Sequence, residues 1–145
     1  MSADYEAIRR LTIDYCWFAD TQDVAGIVAL FDGDYVFDAT KFGIPRIEGR
    51  ESLLEFFGSL LPTHQCSQHV SSNHRIDIDG ASAKGTSYYF MMGVAKDGEP
   101  ISAAGYYADD YILTEQGWRI SVRRGVPLLP PNMAGVLRPF TSREG

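Results

Sequence analysis

After Pro62 the chain switches to a two-residue period and keeps it almost to the end. Residues 68–79, 82–95, 100–114 and 117–127 read as four long strands. They are separated by Asp79-Gly80, Lys96-Asp97-Gly98 and Glu115-Gln116-Gly117, each a hairpin signal. Turns this short join neighbouring strands, so the segment predicts an antiparallel meander. Gly85, Gly93 and Gly105 lie inside the strands, where glycine commonly marks a bulge or bend. The expected sheet is therefore long and curved.

The first half has a helical period. Ile8, Leu11, Tyr15 and Phe18 form one apolar stripe, while Arg9, Arg10 and Asp14 face away. The turn Asp20-Thr21-Gln22-Asp23 ends this helix, and Asp23 suits the N-cap of a short second one through Ile27, Leu30 and Phe31. Asp32-Gly33-Asp34 stops it, and Tyr35–Asp38 reads as a short strand. Gly49-Arg50-Glu51-Ser52 opens a third helix carrying Leu53, Leu54, Phe56, Phe57 and Leu60, closed by Pro62. Helices on one side of a curved antiparallel sheet make an α+β cone with a hollow end. The tail from residue 127 is proline-rich and predicted irregular. Its Leu128, Leu129, Met133, Val136, Leu137 and Phe140 are expected to pack on the pocket mouth or on a neighbouring subunit.

No linker, repeat or low-complexity stretch divides the 145 residues, so residues 1–145 are read as one domain. A net charge of -6 argues against a nucleic-acid partner, which needs a basic footprint. No apolar run is long enough for a membrane helix. The acidic start, Met1-Ser2-Ala3-Asp4, is unlike a signal peptide, so a cytoplasmic location is expected. Cys16 and Cys66 are then expected as free thiols.

Two constellations could carry chemistry. The first is Asp20 with His69, since a carboxylate beside a neutral imidazole fixes its tautomer and stabilises the imidazolium formed on proton uptake. Tyr15 precedes Asp20 by five residues, roughly 140° around the helix. The second is Tyr15, Asp38 and Asp109, with Asp38 as a carboxylate base and the other two as hydrogen-bond donors to an oxyanion. Each also has an ordinary structural use: Asp20 as a helix-end residue, Asp38 as a loop start, Asp109-Asp110 as a solvated pair. Strict alternation groups His69 with Ser71, Asn73 and Arg75, opposite Val70 and Ile76. Either the wall is polar there or a bulge shifts the register.

Trp17, Phe57, Tyr89, Met91 and Tyr107 are the candidate substrate lining. Arg124 is the candidate partner for a substrate carboxylate, although surface ion pairing is the commoner use of Arg123 and Arg124. His64 falls in a polar loop and is expected to be exposed, and His74 is expected as a packed wall residue. The histidines lack metal-site spacing, and no GxGxxG, P-loop or GxSxG motif is present. No metal or cofactor is expected.

These pieces resemble a known superfamily. The run Tyr15-Cys-Trp-Phe-Ala-Asp20-Thr-Gln-Asp23, then Gly26–Phe31, Asp38, Gly49-Arg50, Phe56-Phe57, Gly105-Tyr106-Tyr107 and Gly117–Ile120 is similar to the nuclear transport factor 2-like superfamily, its SnoaL-like branch in particular. The resemblance covers nearly the whole chain. In the scytalone dehydratase, bile-acid 7α-dehydratase and hexachlorocyclohexane dehydrochlorinase group, a helix-end Asp pairs with a strand His. It places these on Asp20 and on His69 within Gln68–Ile76, with Tyr15 as the dehydratases' tyrosine. Their second pocket tyrosine has no counterpart, since Asp38-Ala39 stands there. The ketosteroid isomerase pattern would fall on Tyr15, Asp38 and Asp109.

The resemblance thus implies a cofactor-independent lyase (dehydratase), isomerase or cyclase, of a kind used in secondary metabolism. Its substrate would be a hydrophobic polyketide, steroid, terpenoid or aromatic intermediate. It also implies a homodimer or homotrimer. Non-catalytic binding and accessory domains share the fold, and they remain an alternative.

Overall fold

The computed structural model describes residues 2–141. The first helix, α1 (Ala3–Asp20), starts where Ser2 Oγ accepts the Tyr5 N–H at 3.1 Å. Asp4 and Glu6 add favourable charge to its first turn. Its buried face is Ile8, Leu11, Thr12, Tyr15, Cys16 and Ala19. Asp23 caps α2 (Val24–Ala29) through a 2.8 Å bond from Gly26 N–H. Strand β1 (Phe31–Asp38) follows, then the two-residue β2 (Ile47–Glu48) and α3 (Arg50–Leu60). The long strands are β3 (His64–Asp79), β4 (Ser82–Ala95), β5 (Pro100–Thr114) and β6 (Gly117–Pro127).

All six strands form one curved, unclosed sheet in the order β2-β1-β6-β5-β4-β3. β3 to β6 are the expected antiparallel meander. The sheet as a whole is mixed, because β1 joins the edge of β6 in parallel. The helices pack on its inner face, giving an α+β cone with one core between them. The sheet's other face exposes Val70, Tyr88, Phe90 and Met92. No helix among the described residues is long and apolar enough to cross a membrane.

Register shifts interrupt the regular pairing of β3 and β6. β3 shifts register between Ser72 and Arg75, where Asn73 takes φ 54°. That shift puts Ile76 on the core side with His69 although their spacing is odd, which resolves the alternation conflict. β3 has another shift between His64 and Cys66, and β6 carries an extra residue at Ser121, between the pairs Tyr111–Ile120 and Asp110–Val122. The parity change lets both Ile120 and Arg123 point inward, and each is fully buried. The strand glycines serve close approach instead. β4 and β5 pair without a shift, and a Cβ on Gly105 would lie 2.0 Å from the Val126 carbonyl oxygen.

The tail is more ordered than its prolines predict. Asn132 bridges to Ser102, and a short helix, α4 (Ala134–Leu137), buries Val136 completely. Phe140 meets Phe56 edge-on at 5.4 Å. Cys16 is buried and Cys66 exposed, and both are free thiols.

Four buried phenols set an alkaline limit on the fold. Burial raises Tyr15, Tyr89, Tyr107 and Tyr111 above their usual value. Each folded value exceeds the unfolded one, near 10, so the stability they contribute is full below about pH 10 and is lost above it. In an alkaline titration these four are expected to ionise together with the loss of near-ultraviolet circular dichroism. Early ionisation of all eight tyrosines with that signal intact would contradict the burial.

Candidate active site

The cavity opens because small residues occupy inward positions where a core would carry bulk. Ala19, Ala39, Ala103 and Gly125 all line it. Around them stand Tyr15, Phe56, Phe57, Tyr89, Met91 and Tyr107. Its volume is ≈ 100 Å³. Met133 and Leu137 reach it from the tail, so the tail forms part of its wall, as one of its two expected uses required.

His69 and Asp20 meet at one side of this cavity. His69 Nδ1 lies 2.6 Å from Asp20 Oδ1. A carboxylate can only accept, so Nδ1 carries the proton and Nε2 is left as the free ring nitrogen. The His69 N–H also donates to both carboxylate oxygens, at 3.0 and 2.9 Å, and Ser67 Oγ donates at 3.2 Å. These donors matter because Asp20 is the last residue of α1, where the helix dipole disfavours negative charge. Burial works to raise the Asp20 carboxyl. The bonds from the His69 ring, its N–H and Ser67 outweigh it and hold the group below the usual carboxylate range. The carboxylate is thus ionised at neutral pH and clamped on three donors.

Tyr15 lines the same cavity, edge-on to Phe57 at 6.2 Å and to Tyr107 at 5.6 Å. Burial pushes its phenol up to about 12, with the Arg123 guanidinium pulling the other way. It therefore stays protonated and is a hydrogen-bond donor. Phe57, Tyr89, Met91 and Tyr107 also stand on the wall.

Four other candidates lie elsewhere. Trp17 is 65% exposed, on the far side of α1 from the buried stripe. Arg124 pairs with Asp110 at 3.0 Å on the sheet's outer side, away from the cavity. Asp38 sits between two lining residues, Phe37 and Ala39, and by strand alternation points away from it. Its carboxylate accepts from the Thr40 hydroxyl at 2.7 Å and N–H at 3.1 Å, with Arg46 at 3.6 Å. The Thr40 hydroxyl bond leads in holding it below the usual range, which weakens it as a base. Asp109 is buried, but as a carboxylate rather than a proton donor. It accepts two bonds from Arg123, at 2.9 and 2.7 Å, and one from the Tyr111 hydroxyl at 2.8 Å. The Tyr15/Asp38/Asp109 set is thus not assembled.

Two polar residues on the wall escape the sequence reading. His64 is buried, not exposed. Its Nδ1 faces the Leu60 carbonyl at 3.2 Å, and burial lowers its basicity, so it stays neutral. Ser67 is the other. It lies two residues before His69, so strand periodicity alone puts it on the same face. His74 is partly buried, outside the cavity lining, and its carbonyl accepts from the Tyr5 hydroxyl. Among the described residues no three His, Cys, Asp or Glu side chains converge as a metal ion would need.

The arrangement is that of a small aromatic cavity with an imidazole, His69, oriented by a carboxylate, and neutral phenols on its wall. Similar architecture occurs in solved structures. A candidate aromatic ring hydroxylase from Novosphingobium aromaticivorans is 28% identical, covering 92% of this chain and 96% of that one, with a TM-score of 0.86. A candidate scytalone dehydratase from the same organism is 19% identical over 86% and 84% of the two chains, TM-score 0.78. The hexachlorocyclohexane dehydrochlorinase LinA-type3 of Novosphingobium barchaimii is 20% identical over 89% and 90%, TM-score 0.78. At the sequence level residues 1–124 match the SnoaL-like domain. The chain therefore belongs to the SnoaL-like domain family of the nuclear transport factor 2-like superfamily.

Proposed function

We propose that this protein is a cofactor-independent lyase or isomerase that removes a proton from carbon in a hydrophobic small molecule. The observation that carries the reading is the 2.6 Å pairing of His69 with Asp20 on the cavity wall. With Nδ1 tied to the carboxylate, Nε2 takes the proton from a C–H bond next to an electron-withdrawing group. Asp20 stabilises the imidazolium that results. In an elimination, the C–H electron pair becomes the new double bond and the leaving group departs with its own pair. In an isomerisation, the pair moves onto the carbonyl oxygen, which Tyr15 steadies by donating its O–H. The imidazolium then returns the proton to a different carbon. Elimination is favoured by the company of dehydratase and dehydrochlorinase folds.

The test is a panel of cyclic ketones, hydroxyketones and halides incubated with the protein in deuterated water. The expected result is protein-dependent deuterium uptake beside the carbonyl, or release of water or halide, on at least one compound. A panel with no C–H exchange or elimination above the buffer rate would overturn the reading.

A further inference from the structure

His64 is a second imidazole on the cavity wall, and the proton transfer at His69 leaves it unused. It is 5% exposed and lines the cavity beside Leu60, Leu61, Ser67 and His69. Its position in the chain is five before His69, and regular alternation would turn the two rings to opposite faces. The register shift between His64 and Cys66 changes that parity, so both stand on the inner side.

The surroundings of the ring fix its tautomer. Nδ1 lies 3.2 Å from the Leu60 carbonyl, which can only accept, so Nδ1 carries the proton. The Thr63 hydroxyl donates to the same carbonyl at 2.5 Å, and its oxygen can only accept from Nδ1 at 3.3 Å. Both neighbours therefore assign the same tautomer and leave Nε2 as a bare acceptor. Among the described residues Nε2 has no hydrogen-bond partner. It is also not one of the fully enclosed polar atoms that lack one, which are Ser87 Oγ, Tyr89 Oη and Arg123 Nη1. Burial lowers the basicity of the ring, so Nε2 keeps its lone pair at neutral pH. The bond to Leu60 alone does not call for histidine, since an asparagine amide can donate to that carbonyl without a second ring nitrogen.

We infer that the substrate carries a hydroxyl group that donates to His64 Nε2, which makes His64 the specificity-determining residue of the cavity. The polar groups on the wall then divide by hydrogen-bond sense. His69 Nε2 meets the C–H bond, the Tyr15 phenol donates to an acceptor oxygen, and His64 accepts from the hydroxyl. A carbonyl or ether oxygen at His64 would set lone pair against lone pair, so the site selects against an acceptor there. The substrate class narrows accordingly from ketones in general to hydroxyketones. The inference rests on the reading of the cavity as a substrate site, but its test reads binding rather than turnover, so the two can fail separately.

Acetoin and butanone are small acyclic ketones that differ by one hydroxyl, which suits a cavity of ≈ 100 Å³. Both are titrated into wild type and His64→Asn by ligand-observed nuclear magnetic resonance. The asparagine can still donate to the Leu60 carbonyl but has no atom at the Nε2 position. Wild type is expected to bind acetoin more tightly than butanone, and that preference should fall by about 3–10-fold in His64→Asn. A second measurement needs no variant: the His64 Nε2 nitrogen resonance of wild type should move on addition of acetoin and not of butanone. An unchanged preference, an unmoved resonance or no binding of either ketone overturns the inference. If the preference falls but no panel compound is turned over, the binding assignment stands and only the catalytic reading fails. Turnover with an unchanged preference keeps the catalytic reading and removes His64 from it.

Discussion

His69→Ala is expected to lower kcat/KM by about 10²–10⁴-fold, the usual contribution of a positioned general base. The loss should fall on kcat, because the imidazole acts on the proton in the transition state, while the aromatic wall that holds the substrate is untouched. Asp20→Asn is the sharper variant. Its side-chain carbonyl can still accept the His69 N–H, so the loop geometry survives. What changes is the charge that steadies the imidazolium and the certainty that Nδ1 carries the proton. A drop of about 10²–10³-fold is expected in kcat, with little change in KM. Stability gives an independent readout. The folded Asp20 carboxyl lies below its unfolded value. The stability it contributes is therefore present above about pH 4 and is lost as the pH falls through the folded value. The difference between wild type and Asp20→Asn in a urea melt should shrink along that same descent. Full turnover in both variants on an established substrate would remove the dyad from the mechanism.

The dyad could be found in the sequence because both partners lie where local signals are strong. Asp20 is followed by a polar turn that ends a clearly periodic helix, and His69 lies in a strand bounded by unmistakable turns. The same periodic logic, carried to Trp17, contradicts its place among the substrate-lining candidates. At 100° per residue it falls nearly opposite the middle of the arc formed by Leu11, Tyr15 and Ala19, so it faces solvent. Asp38 likewise follows Phe37 out of phase. Irregular positions were not legible. The extra residue at Ser121 exchanges the roles of Arg123 and Arg124, and nothing in Ile-Ser-Val-Arg-Arg announces a bulge. His64 was hidden by its polar neighbours Thr63 and Gln65, which suggest a loop, whereas β3 begins at His64 and turns it inward. A hollow end was expected from the fold, but which inward positions open it could not be read. Alanine and glycine at inward positions look the same in sequence whether they allow close packing, as at Gly105, or leave space, as at Ala103.

The bulge at Ser121 has a consequence large enough to measure. It places Arg123 with no solvent exposure, its guanidinium 4.1 Å from the Tyr107 ring centre and 4.6 Å from that of Tyr15. Asp109 accepts two of its bonds and Thr12 a third at 2.7 Å. Burial works against the arginine's charge, but Asp109 beside it keeps the group protonated. Such a pair contributes little net stability compared with apolar residues of the same shape, yet is costly to break. Arg123→Met leaves a buried carboxylate with only the Tyr111 hydroxyl to satisfy it, and Asp109→Leu leaves a buried cation under two aromatic faces. Each single variant is expected to lose about 3–5 kcal/mol, read as a fall in the urea midpoint. The double variant should lose much less than the sum, because no unpaired charge remains and only the Tyr111 and Thr12 hydroxyls are orphaned. Additive losses would mean that the two side chains act separately. Since Arg123 lies against Tyr15 and Tyr107, both of which line the cavity, the double variant should also lose turnover on a substrate of the wild type even where its fold is recovered. The ion pair would then serve the fold chiefly by holding the aromatic wall in register with His69.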